Sequence, residues 1–210
     1  MSNLILTADQ IYALAYIVKA KCLDYYYISL AEKVKDNKVW LNENTKLLVS
    51  QGILLEDFSG DTTIEPEVEA LVKPIYFGTK ESSLDINIFG ENEDNKGYRF
   101  HFLDDKITMV KTDENGFEIT ETSIEKIKEM VSKVLPSDYS ADSGEKDITL
   151  DVSKISRVFV VKNTEMNVKS FVATFVESDG IVYEEDTSDK IYSISGGDFG
   201  EKLYKILTEV

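Results

Sequence analysis

One cysteine and one histidine in 210 residues leave this chain short of the side chains that most often perform chemistry. Cys22, being alone, can form no intrachain disulfide, and nothing implies an oxidising compartment. Cys22 and His101 lie in distant, dissimilar segments, so a Cys-His or Ser-His nucleophilic pair has no support. The HExxH and paired CxxC spacings that hold zinc are both missing. Arginine is scarce as well: Arg99 and Arg157 stand alone among the 23 basic residues. A glycine-rich phosphate loop is absent, because Gly196-Gly197 leads into a helix that opens with Asp198, whose charge would repel a phosphate. No apolar run approaches the ~20 residues that a membrane span needs, and no charged leader with an apolar core opens the sequence. These absences predict a non-enzymatic, cytoplasmic chain with no catalytic residue, no metal site and no cofactor.

What is present is acid. Asp and Glu number 39, the formal charge is −16 and the pI is near 4.5. Such a surface repels phosphate backbones and anionic headgroups, so nucleic acid and membrane are poor partners. Solubility alone would account for the charge, and attraction of a basic or charge-poor protein is the sharper alternative. The acidic clusters Glu91–Asp94, Asp104-Asp105 and Glu184-Glu185-Asp186 read as solvated turns. A glycosidase would need two carboxylates about 5 to 9 Å apart across a cleft, a geometry that spacing along the chain does not define. The Glu91–Gly97 stretch also lacks the alternating ligands and the twelfth-place glutamate of a calcium loop. Hydrophobic content of 42% and aromatic content of 10% are ordinary globular values, enough for a core without disulfides or metals.

The residue pattern is α+β: a largely antiparallel sheet in two pseudo-symmetric sheet-plus-helix halves, preceded by an N-terminal helical segment over residues 1–78. Alternating strands followed by one capped helix occur at about 84–135 and again at about 157–210. Asp113-Glu-Asn-Gly116 and Ser178-Asp-Gly180 are hairpin signals near the middle of each copy. In the N-terminal part, Thr7 and Gln10 fit a capping box before a stripe of Ile11, Leu14, Ala15, Val18 and Cys22. The stretch Leu23–Leu30 fits a short strand or a second helix. Glu43–Gln51 reads as a helix closed by Gly52, and Pro66–Lys73 as another that ends before Pro74. Helix, helix, short strand, helix is superficially a winged-helix order, but this stretch is too acidic to meet DNA.

Within the first copy Leu84, Ile86 and Ile88 alternate with polar residues, as do Tyr98, Phe100 and Phe102 with Arg99 and His101. One sheet face is thus expected to be wet, with His101 at the surface or an edge and the Leu84 strand peripheral. Phe171–Val176, apolar on both faces, is expected to be central. Thr122 with Glu125, and Asp198 with Glu201, are the expected caps of the two closing helices. Ser137–Asp147 is the most linker-like segment. Between the first two strands lies Gly90, Glu91, Asn92, Glu93, Asp94, Asn95, Lys96 and Gly97, a polar loop longer than chain reversal requires and the candidate partner-binding site.

LTADQIYALAYIV, then LVSQGILLED with PEVEALVKPI, then strands closing on IKEMVSKVLP and the final VYEEDTSDKIYSISGGDFGEKLYKIL together resemble the EspG family of type VII secretion chaperones. The resemblance spans nearly the whole chain, residues 1–210, as a single domain. It implies a cytosolic, non-enzymatic chaperone or adaptor that binds a secreted helical protein or toxin of a type VII system, of the WXG or LXG-domain type. It also implies that residues 90–97 occupy the place where a sheet loop of the family meets its substrate. The family's helical insertion between halves has only Ser137–Lys154 to correspond to it here, too short to supply it in full. An immunity protein that neutralises a cognate bacterial toxin is the alternative, since it too would be small, acidic and catalytically empty.

Overall fold

The computed structural model describes residues 4–31, 37–90, 95–114, 116–135, 149–165, 170–185 and 190–209. The chain divides into two compact units, each made of two stretches: residues 1–79 with 101–121, and residues 80–100 with 122–210. The boundaries therefore do not coincide with the repeat of residue pattern.

The first unit carries β1 (Leu4–Leu6), α1 (Ala8–Ile17), α2 (Tyr25–Leu30), α3 (Asn37–Ser50), β2 (Leu54–Glu56), β3 (Thr62–Ile64) and α4 (Pro66–Phe77). The second begins with β4 (Lys80–Ile88); β5 (Lys96–Leu103) is shared between the units, and β6 (Lys106–Asp113) and β7 (Gly116–Thr122) return to the first. The chain then finishes the second unit with α5 (Ile124–Val134), β8 (Ile155–Glu165), β9 (Phe171–Ser178), β10 (Ile181–Glu185), β11 (Ile191–Ile194) and α6 (Gly196–Thr208). Among the described residues nine strands form one sheet in the order β1-β7-β6-β5-β4-β8-β9-β10-β11, and β2 with β3 forms a separate hairpin. The β1·β7, β4·β8, β8·β9, β9·β10 and β10·β11 pairings are all antiparallel, so the class is α+β.

Local signals account for many boundaries. Thr7 caps α1 with the reciprocal pair of bonds, its hydroxyl accepting from the Gln10 amide at 3.2 Å while the Gln10 carboxamide accepts from Thr7 at 2.9 Å. Gly52 ends α3 at φ +71°, and Asp179-Gly180 turn the β9–β10 hairpin at φ +52° and +76°, the pair of positive values that a tight primed turn requires. Leu23–Leu30 resolves as a helix: the Asp24 carboxylate accepts from the Tyr26 amide at 3.0 Å and starts α2.

Four expectations are corrected. The helix α4 does not stop before Pro74 but runs through it to Phe77. A proline inside a helix costs about 3 kcal/mol, yet here Val72, Pro74, Ile75 and Tyr76 are all buried in the last turns, and the Tyr76 hydroxyl donates to the Ile11 carbonyl at 2.9 Å. Burial and that anchor hold the final turn. The caps of α5 and α6 are Ser123 and Ser195, not Thr122 and Asp198, since each serine hydroxyl accepts an amide three residues on. The Leu84 strand, β4, is the middle strand of nine instead of a peripheral one. Finally, β5 has no wet face along its middle, because Arg99, Phe100 and His101 are consecutive and all buried.

Candidate functional site

In the second unit the sheet has two unlike faces. The β4, β8 and β9 registers place Leu84 and Ile86 beside Phe159 and Val161, and these beside Phe175 and Ala173. Phe199 of α6 closes this face, its ring 5.1 Å from Phe159 and 5.0 Å from Phe175. The C-terminal end of α6 is then tied down: Lys80 Nζ donates to the Thr208 carbonyl, Ser82 Oγ to that of Leu207, both at 2.7 Å, and Asn163 Nδ2 to Ile206 and Glu209. These donors satisfy carbonyls that a helix end leaves without intrahelical partners. Burial holds the Lys80 ammonium below the ordinary lysine range, with Glu165 pulling the other way. Arg157 lies on the same face, bonded to Glu177 and to the Val134 carbonyl at the end of α5, so α5 and α6 share it.

The alternate residues of the same strands form the other face, and neither α5 nor α6 is packed on it. Val158, Val160, Val176, Ile181 and Tyr183 are half-buried there, Val172 is 56% exposed, and the exposed Thr174 and Lys162 pair with Val160 and Val172 on the same face. Toward β5 the face turns polar: Arg99 reaches Asp85 with two guanidinium nitrogens, at 3.1 and 3.4 Å. Arg99 is buried, so the pair is fixed by its fork geometry and is shielded from solvent on the arginine side.

At one end of β8 this face reaches an open recess of about 310 Å³ lined by Phe89, Gly90, Val152, Ser153, Ile155 and Val158. Phe89 and Val152 are 52% and 79% exposed, so the rim is apolar and wet. The recess adjoins the predicted loop. Gly90 forms part of its wall, with φ +135°; Asn95 is exposed and its Oδ1 accepts the Ile88 amide at 3.0 Å; Lys96 and Gly97 already belong to β5. Glu91, Asn92, Glu93 and Asp94 lie outside the described residues, as does the linker-like Ser137–Asp147.

Sequence reasoning missed the valine face, because residues such as Val160 and Val172 read equally well as core. Alternation in β8 and β9 was the available signal, but a buried face and an unpartnered one give the same period. The surface role expected of His101 is also corrected. In the first unit it is 3% exposed, with Nε2 2.9 Å from the Tyr27 hydroxyl, itself fully buried against Phe117. A tyrosine 74 positions away supplies a hydrogen-bond partner that the strand pattern gave no hint of. Among the described residues no three His, Cys, Asp or Glu side chains are grouped to hold a metal ion, and no helix is long and apolar enough to cross a membrane. What the arrangement offers is a contact surface: a largely apolar sheet face that ends at a recess walled by Phe89, Gly90 and Val152. Comparison with protein-family models and with curated proteins finds no match for this chain.

Proposed function

We propose that the protein is a cytosolic, non-enzymatic chaperone that holds a helical type VII secretion substrate of the WXG or LXG-domain kind and keeps it soluble for export. The observation that carries this reading is the apolar face of β8–β10, half-exposed and continued by Phe89 and Val152 at the recess. Exposed apolar surface of this kind, here broken by Thr174 and Lys162, marks interaction sites, and an amphipathic helix laid on it would bury the valines at little ordering cost to rigid strands. The charge of −16 suits a basic or charge-poor partner. The acidic residues Glu91, Glu93 and Asp94 follow Phe89 and Gly90 directly in the chain and add negative charge that suits such a partner.

The test is co-purification with a helical-domain toxin encoded in a neighbouring reading frame. Phe89→Ser with Val172→Asp should leave the thermal melt of the free protein nearly unchanged, because exposed substitutions cost less than about 0.5 kcal/mol. Capture should fall at least about tenfold, equivalent to about 1.4 kcal/mol. Glu91→Ser, Glu93→Ser and Asp94→Ser together should also weaken it. Undiminished capture by both well-folded variants would move the interface elsewhere. Truncation of the toxin separates the two functional classes: retention by its helical N-terminal domain supports the chaperone, and retention by its catalytic C-terminal domain alone would make the protein an immunity protein.

A further inference from the structure

We draw no further inference here: the strongest candidate, the aromatic helix face of the first unit where Tyr12 and Tyr16 stand exposed one turn apart on α1 with Tyr12 against Trp40 of α3, is an unpartnered surface with nothing in the structure to show what covers it.

Discussion

At the scale of single residues, the costliest positions are polar groups out of water. The 2.9 Å bond between Tyr27 and His101 joins α2 to β5 where both side chains are buried. Deleting one partner of such a bond leaves the other poorly satisfied, at about 1–3 kcal/mol. Tyr27→Phe should therefore lower the free energy of unfolding by about that amount, read as a lower urea midpoint at unchanged slope, and a midpoint equal to the parent's would show the bond to be dispensable. Asp57, at the exposed turn between β2 and β3, behaves differently. Its Oδ1 accepts from the Ser59 hydroxyl at 2.6 Å and from the Ser59 and Asp61 amides at 2.8 and 3.0 Å. These bonds, the Ser59 hydroxyl first, hold its carboxyl below the ordinary aspartate range. A depressed folded value means that the turn's ordering is fully present above the unfolded value and is lost as pH falls through the folded one. The Ser59 and Asp61 amide resonances should titrate together below the usual aspartate range, and Ser59→Ala should move that midpoint upward. Titration at the ordinary value in the parent would refute the arrangement. Reading such residues from sequence succeeds when the partner is near: Thr7 with Gln10 is legible because both ends of the bond lie within one helical turn. It fails when the partner is far, as for His101 with Tyr27 or Arg99 with Asp85, because a polar residue on a strand looks solvated until its partner is brought to it.

At the scale of elements, α6 is the cover of the second unit. Phe199, Leu203 and Leu207 are fully buried, and Lys80, Ser82 and Asn163 hold its last turn to β4 and β8. Ending the chain after Ser195 should abolish cooperative melting of this unit, since three large apolar side chains at about 1.5–3 kcal/mol each rival the stability of a whole domain. A truncated chain that melts cooperatively near the parent temperature would make the helix a passenger. Period-two alternation and helical spacing made the strands, the helices and the α+β class legible, and glycine chemistry placed the turn at Gly180. The order of strands was not legible. The polar face of β4, Asp85 and Asn87, suggested a peripheral strand, yet Asp85 is spent on Arg99, and Ser82 of the same strand on the end of α6. A central strand tolerates polar residues once each has a partner, and those partners are supplied by the fold. Likewise Pro74 stops a helix only where nothing else holds the next turn, and here Ile75 and Tyr76 are buried.

At the scale of the whole molecule, 39 acidic residues against 23 basic ones give a chain that repels itself when folded. Such repulsion destabilises the compact state and is screened by salt, whose reach shortens from about 30 Å at 0.01 M to about 10 Å at 0.1 M. The melting temperature should therefore climb with sodium chloride over this range and level off beyond it; a flat or falling curve would show that the ion pairs, and not the excess charge, set the balance. The division of the chain has a different consequence. Because the first unit takes residues 1–79 and 101–121, with β5 cut between Phe100 and His101, neither unit is an unbroken stretch of polypeptide. A ribosome releasing this chain at about 5–20 residues per second cannot finish the first unit before it has made the opening strands of the second. Leu6, whose neighbour in the sheet is Phe117, must wait until residue 117 has been synthesised before it pairs. The nascent helices α1–α4 thus spend seconds with their sheet-facing side uncovered, and a protein proposed to shelter others from aggregation would itself pass through the state in which a newborn chain most needs shelter.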